Sequence, residues 1–141
     1  MLEGNMAEKK YRSIDEIKHN NISLGEILKE HRAWILSSKQ GHRQADLRDA
    51  DLHRADLHDT YLSSAILRLA NLHEANLTGA NLSWADFNGT DLTGADMTGA
   101  DLFGADLSGA NLTDANLSRT SLFGTKVRCI LNIHPRINKG M

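Results

Sequence analysis

The chain has 141 residues, the span of one domain, with a formal net charge of −2 and a single cysteine. One cysteine excludes an internal disulfide and fits a reducing compartment, and no apolar run approaches the length of a membrane span. The charge is unevenly placed: residues 45–128 carry twelve carboxylates against six Lys and Arg, a balance of −6, while 1–44 and 129–141 each come to +2.

From the N-terminus, Met1 to Ser13 is charged and holds no apolar core of a secretory signal, so a cytoplasmic protein is expected. Ser13-Ile14-Asp15-Glu16 has the spacing of a capping box and predicts the start of a short helix. Ser23-Leu24-Gly25-Glu26 repeats that spacing, and behind it Leu24, Ile27, Leu28, His31, Trp34 and Ile35 fall at helical intervals. The pattern predicts an amphipathic helix over about 24–38, stopped near Ser37, Ser38 and Gly41. Its apolar side would lie over whatever follows, with Leu28 and Trp34 as the main anchors. Packing explains His31 and Trp34 better than a catalytic or binding role.

From Ala45 the sequence repeats every five residues, as A-[DN]-L-x-x, for seventeen units. The central slot runs from Leu47 through Phe87 and Met97 to Val127, and two residues before it sits Ala or Thr and nothing else. Five residues advance an α-helix by about 500°, which scatters the leucines around its surface. In a flat strand an odd period sends successive leucines to opposite faces. A chain that turns after each unit satisfies both constraints. The small and central residues face inward, four turns close a square coil of twenty residues, and stacked coils pair at about 4.8 Å. Gly79, Gly89, Gly94, Gly99, Gly104, Gly109 and Gly124 all occupy the last slot, where a tight turn asks for positive φ. Seventeen units give just over four coils and a rod roughly 20 Å long. Beyond Val127 the pattern lapses. Cys129, Ile130, Leu131, Ile133 and Ile137 are apolar enough to cover the last coil or to associate with a second copy, and Pro135 argues against a long helix.

The run over 45–129 resembles the pentapeptide-repeat proteins. The resemblance implies an all-β solenoid, a right-handed quadrilateral β-helix of about four coils, here with an N-terminal α-helical cap; the handedness comes from the family. The stretch Ile27-Leu28-Lys29-Glu30-His31-Arg32-Ala33-Trp34 resembles the leader that precedes the repeats in bacterial members. The division expected is 1–44 as helical cap, 45–129 as β-helix and 130–141 as C-terminal cap or tail. The resemblance also implies a possible homodimer through the C-terminal end, as in several relatives.

With a period of twenty, outer residues fall into columns. The first wall carries Arg48, Arg68, Asn88, Ser108 and Arg128; the second His53, His73, Thr93 and Thr113; the third His58, Thr78, Thr98 and Ser118; the fourth Ser63, Ser83, Phe103 and Phe123. The fourth wall stands out, since Phe103 and Phe123 should stack, with Trp84 and Tyr61 on the same side and Ile66 and Leu69 around the corner. These six residues form a candidate protein-binding patch, because exposed clusters of large apolar groups often mark interaction surfaces. Rings that protect backbone pairing, or lie beneath the C-terminal tail, would produce the same pattern. His53, His73 and His58 lack a converging carboxylate framework, so no metal is expected.

No nucleophile–base pair, phosphate loop or Cys–His set is present, and the inner slots hold only apolar groups and Thr, so neither catalysis nor a cofactor is expected. An acidic rod disfavours direct nucleic-acid binding. The first reading is a non-enzymatic scaffold serving a protein partner, without a membrane role. The alternative rests on the resemblance: the quinolone-resistance members of the family engage DNA gyrase, reportedly by mimicking nucleic acid, and the second-slot Asp and Asn residues would supply such an acidic ladder. Short polar side chains in that slot also suit bonding to local backbone.

Overall fold

The computed structural model describes residues 11–38, 41 and 43–128. From Ala45 onward each second-slot residue pairs in parallel with the residue twenty further on. Asp46, Ile66, Asp86, Asp106 and Lys126 form one wall; Asp51, Asn71, Asp91 and Asn111 the next; Asp56, Asn76, Asp96 and Asn116 the third; Tyr61, Asn81, Asp101 and Ser121 the fourth. The ladder is regular: Leu47 N–H donates to the Ile66 carbonyl at 2.8 Å, and Ile66 N–H to that of Ala45 at 2.9 Å. Between walls the chain turns with a bond across three residues, as where Ala50 N–H donates to the Leu47 carbonyl at 3.1 Å.

All sixteen last-slot residues from Asp49 to Gly124 have positive φ, and only seven of them are glycine. Leu69 at 58° and Trp84 at 61° carry large side chains in the left-handed region, at a cost of about 1–2 kcal/mol each. Two hydrogen bonds hold the residue there at every corner from Asp49 to Gly109. One is the turn bond. The other runs from the last-slot N–H to the next coil, as from Trp84 to the Phe103 carbonyl at 2.8 Å. Glycine is demanded where a bulky corner lies above: a Cβ on Gly104 would come within 2.6 Å of the Trp84 ring, and one on Gly89 within 2.7 Å of Leu69.

Inside, the central residues from Leu47 to Leu117 and the alanines facing them are buried in one continuous core. Phe87 and Met97 are accommodated in the same column type as the leucines. Threonine is tolerated in the small slot because its hydroxyl reaches a backbone carbonyl: in the preceding coil for Thr90, whose Oγ1 donates to Leu67 at 2.6 Å, and for Thr120 to Met97 and Thr125 to Leu102, both at 2.9 Å, and in its own coil for Thr60, which donates to Leu57 at 2.7 Å. The inward rule fades at the last units, where Leu122 is 43% and Val127 56% exposed. Cys129, Ile130, Leu131, Ile133, Pro135 and Ile137 lie outside the described residues.

The N-terminal segment adds to the coil before it folds. Arg12 pairs in parallel beside Ala55, donating from its N–H to the Arg54 carbonyl and accepting from Asp56 N–H at 2.9 Å. Its guanidinium donates to the His53 carbonyl at 3.1 Å. At Ser13–Glu16 half of the capping box forms, with Ser13 N–H donating to Glu16 Oε2 at 3.3 Å while Ser13 Oγ accepts from Asp15 N–H, but the expected short helix does not. The chain makes one turn and enters a hairpin, β1 (Lys18–His19) against β2 (Ile22–Ser23). Asn20 and Asn21 turn it at φ 51° and 65°, the signature of a two-residue hairpin loop. That turn brings Ile17 into the core, and a continuing helix would forfeit its burial.

Ser23 then caps helix α1 (Leu24–Leu36), its Oγ accepting from Glu26 N–H at 3.2 Å. The helix is slightly shorter than expected, closed by Ser37 N–H donating to the Ala33 carbonyl and by Ser38 at φ 58°. The fully buried contacts of α1 are Leu24 and His31. Leu28, expected as an anchor, is only partly buried beside Ile27 and Ile14, and Trp34 stacks on the His31 ring at 5.4 Å. Ile35 is likewise partly buried. The reason is reach: the imidazole of His31 extends to the backbone of the first coil. Ala45 N–H donates to its Nδ1 at 2.9 Å, and its Nε2 donates to the Ser63 carbonyl at 3.0 Å.

Candidate functional site

On the fourth wall the coil register builds an aromatic ladder. Trp84 N–H donates to the Phe103 carbonyl, and Gly104 N–H to that of Phe123, so the three aromatic residues descend one coil at a time. Phe103 N–H also donates to Asp101 Oδ1 at 2.9 Å, which fixes the outward slot. The Trp84 and Phe103 rings meet edge to face, with centroids 5.3 Å apart and planes at 81°. Phe103 and Phe123 stack at 5.7 Å and 12°. Both arrangements are favourable for aromatic pairs. The ladder is nonetheless open to solvent, with Trp84 61% and Phe123 77% exposed.

The other three patch residues stand elsewhere. Tyr61 is covered in part by the helix, with the Arg32 guanidinium 5.0 Å from its ring centroid, a cation–π distance. It lines a groove with Ile14, Leu28, Arg32 and Leu36. Ile66 is half-buried in the pairing slot of the first wall. Leu69 occupies the next corner, exposed and lying over Gly89. The six residues therefore divide into a continuous ladder, a tyrosine beneath α1, and two apolar residues on another wall.

The polar columns are locally bound. Second-slot oxygens accept from the amide two residues on, at 2.9 Å for Asp91 with Thr93 and 3.1 Å for Asn76 with Thr78. Aspartate and asparagine do this work alike, so the fold does not require the negative charge. Where the outer residue is a hydroxyl it reinforces the same oxygen, as from Thr98 to Asp96 at 2.6 Å. Asp46 is held below the usual carboxylate range by its side-chain bond to Arg48, and Asp106 by Ser108.

The histidines do not converge. His53 Nδ1 lies 2.6 Å from Asp51, His58 Nδ1 lies 2.7 Å from Asp56, and His73 approaches Glu74 only at 4.0 Å. Nδ1 of His53 is also 3.0 Å from the Arg12 guanidinium, which donates to the His53 carbonyl at 3.1 Å. Among the described residues no group of three His, Cys, Asp or Glu side chains could hold a metal ion, and no helix is long and apolar enough to cross a membrane.

Sequence reasoning missed the Arg12 rung and the hairpin. The Asn20-Asn21 pair between short apolar stretches was an available signal for the hairpin. Arg12 carried none, since it belongs to no repeat unit.

A square coil with inward Leu and Ala columns defines a repeat solenoid. The family model for pentapeptide repeats matches in eight copies, over residues 42–68, 55–94, 65–102 and 95–128, and the chain belongs to that family. Its known fold is the right-handed quadrilateral β-helix. Among solved structures, the chain is similar to the pentapeptide repeat protein Rfr23 of the cyanobacterium Cyanothece 51142, at 36% identity and a TM-score of 0.65, over 68% of this chain and 65% of that one. It is also similar to a pentapeptide repeat protein of the Arabidopsis thaliana thylakoid lumen, at 37% identity and a TM-score of 0.58, over 61% and 60%. The chain thus spans less than two thirds of the length of either. QnrB1, a plasmid-mediated fluoroquinolone resistance protein, matches at 21% identity and a TM-score of 0.34, over 62% of this chain and 58% of that one, too low to carry an argument. No curated protein matches.

Proposed function

We propose that this chain is a non-enzymatic scaffold that presents the Trp84–Phe103–Phe123 ladder to a protein partner. The observation that carries the reading is the ladder itself: three large rings in mutual contact and open to water, on a rod whose other walls carry mainly short polar groups. Aromatic side chains are enriched in interface cores, where they bury area at little entropic cost. Inner slots filled by apolar groups and Thr support the absence of catalysis. Residues 1–44 serve as the helical cap, 45–129 as the binding rod and 130–141 as the other end, where a homodimer could form. A bacterial cytoplasmic setting belongs to the same proposal, supported by the single cysteine.

The test uses residues that the chain already places in equivalent slots. Trp84→Gly copies Gly104, and Phe103→Ser copies Ser83. The double variant should keep the β-helix spectrum and lose any protein cross-linked to the wild type through a photoreactive group at Ser83. Equal cross-linking by both forms would remove the ladder from the interface.

The second reading, an acidic regulator of DNA gyrase or another DNA-processing enzyme, is favoured by the −6 balance and by aspartate in slots where asparagine serves equally well. A supercoiling assay in which the protein neither inhibits gyrase nor protects it, over a wide concentration range, would end it.

A further inference from the structure

Within the solenoid, two backbone groups of each five-residue unit depend on earlier residues of the winding. A small-slot N–H donates to the central-slot carbonyl three residues back, as Ala50 to Leu47 and Ala55 to Leu52. An outer-slot carbonyl accepts from the last-slot N–H of the coil before, as His73 from Arg54 and Ser83 from Ser64. At the start of the repeats this rule calls for one acceptor facing Ala45 N–H and one donor facing the Ser63 carbonyl. Those two places are taken by Nδ1 and Nε2 of His31, at 2.9 and 3.0 Å. A single imidazole thus stands in for the peptide groups of a missing unit. It can do so only as the neutral Nε2–H tautomer, with one lone pair and one hydrogen.

We infer that His31 makes α1 an acid-released lid over the first coil: a proton on Nδ1 turns the acceptor into a donor facing the Ala45 N–H, and the contact that seats the helix becomes repulsive. The ring is fully buried, so the charge would be poorly solvated. Its neighbours offer no compensation among the described residues. On α1, Trp34 stacks on it, Arg32 lies over Tyr61, and Glu30 lines a groove with Arg43 and Asp46. On the first coil, Asp46 is bound to Arg48. Burial accordingly lowers the His31 pKa from its ordinary 6.5, opposed only by the Ser63 bond. The helix should stay seated above that value and loosen as the pH falls beneath it.

Amide hydrogen exchange on the full chain, corrected for intrinsic rates, tests this. Between about pH 7.5 and 5.5 the protection of α1 should fall about tenfold, the ratio set by a group that titrates at its ordinary pKa only when the lid is open. Amides of residues 65–117 that exchange while the lid stays seated should keep their protection. His31→Gln supplies a donor and an acceptor without a titrating proton, and should remove the pH dependence of α1. If that variant does not fold, nitrogen-15 NMR of the wild-type imidazole decides: an Nε2–H tautomer titrating below 6.5 upholds the lid. A ring titrating at or above 6.5, unchanged α1 protection in acid, or an undiminished pH effect in His31→Gln would each overturn it.

Discussion

The repeated body and the segment at its N-terminal end bury their apolar groups by different means. In residues 45–117 each inner side chain rests on a counterpart twenty residues away, so one local rule is applied again and again. In residues 11–38 nothing has a counterpart. Position depends on individual matches: Arg12 with Arg54 and Asp56, Ile17 and Leu24 with the core, His31 with Ala45 and Ser63. Periodic packing makes the body uniform in its response to substitution, whereas the end should respond according to which single contact is lost.

The largest effects expected are therefore in the body's core. Leu77→Ala should destabilise by about 2–5 kcal/mol, the range for a buried truncation, as measured by urea unfolding. Ala75→Leu should cost about 1–3 kcal/mol, because the facing wall has no room for the added methylenes. The same losses should be found at Leu72 and Ala80. If neighbouring coils respond very differently, the body is not the uniform stack that its pairing suggests.

A smaller effect separates conformational cost from packing at one corner. Gly104→Ala places a Cβ at φ 66°, which costs about 1–2 kcal/mol, and also drives it into the Trp84 ring. Trp84→Gly relieves the left-handed cost of the indole while removing its contacts with Phe103, so its net effect should stay within about 1 kcal/mol. The double variant should lose less stability than the sum of the two, since the ring that obstructs the new Cβ is gone. Strict additivity would mean that Trp84 does not lie over Gly104.

How far each region could be read from sequence follows the same division. The five-residue period rules out helix and flat strand at once, so the coil, its inner columns and the Phe103–Phe123 stack were legible in residue spacing alone. Column arithmetic already set Ile66 and Leu69 around the corner, but it could not set Tyr61 apart from the ladder, because Tyr61 meets Arg32, which belongs to no column. Helix α1 was legible from Ser23, Glu26 and the helical spacing behind them. Which of its residues would be fully buried was not, since that depends on the open backbone groups of the first coil, which only a folded first coil reveals.

The smallest expected effect sets one histidine of the body against the one at the end. His58, exposed on the third wall, has its pKa raised above 6.5, chiefly by the Nδ1 bond to Asp56 and then by that carboxylate's charge. The folded state then binds the proton more tightly than the unfolded chain, so stability falls as pH rises. The contribution is complete below 6.5 and is lost as the pH climbs through the raised value. His31 has the opposite sign, its share being complete above 6.5 and lost as the pH drops. Solvent screening keeps the His58 effect small, as for other exposed pairs. Stability measured across this window should therefore decline toward acid, with the His31 slope dominant. His58→Gln should steepen that decline slightly, and a flattened profile in this variant would reverse the assignment of the two histidines.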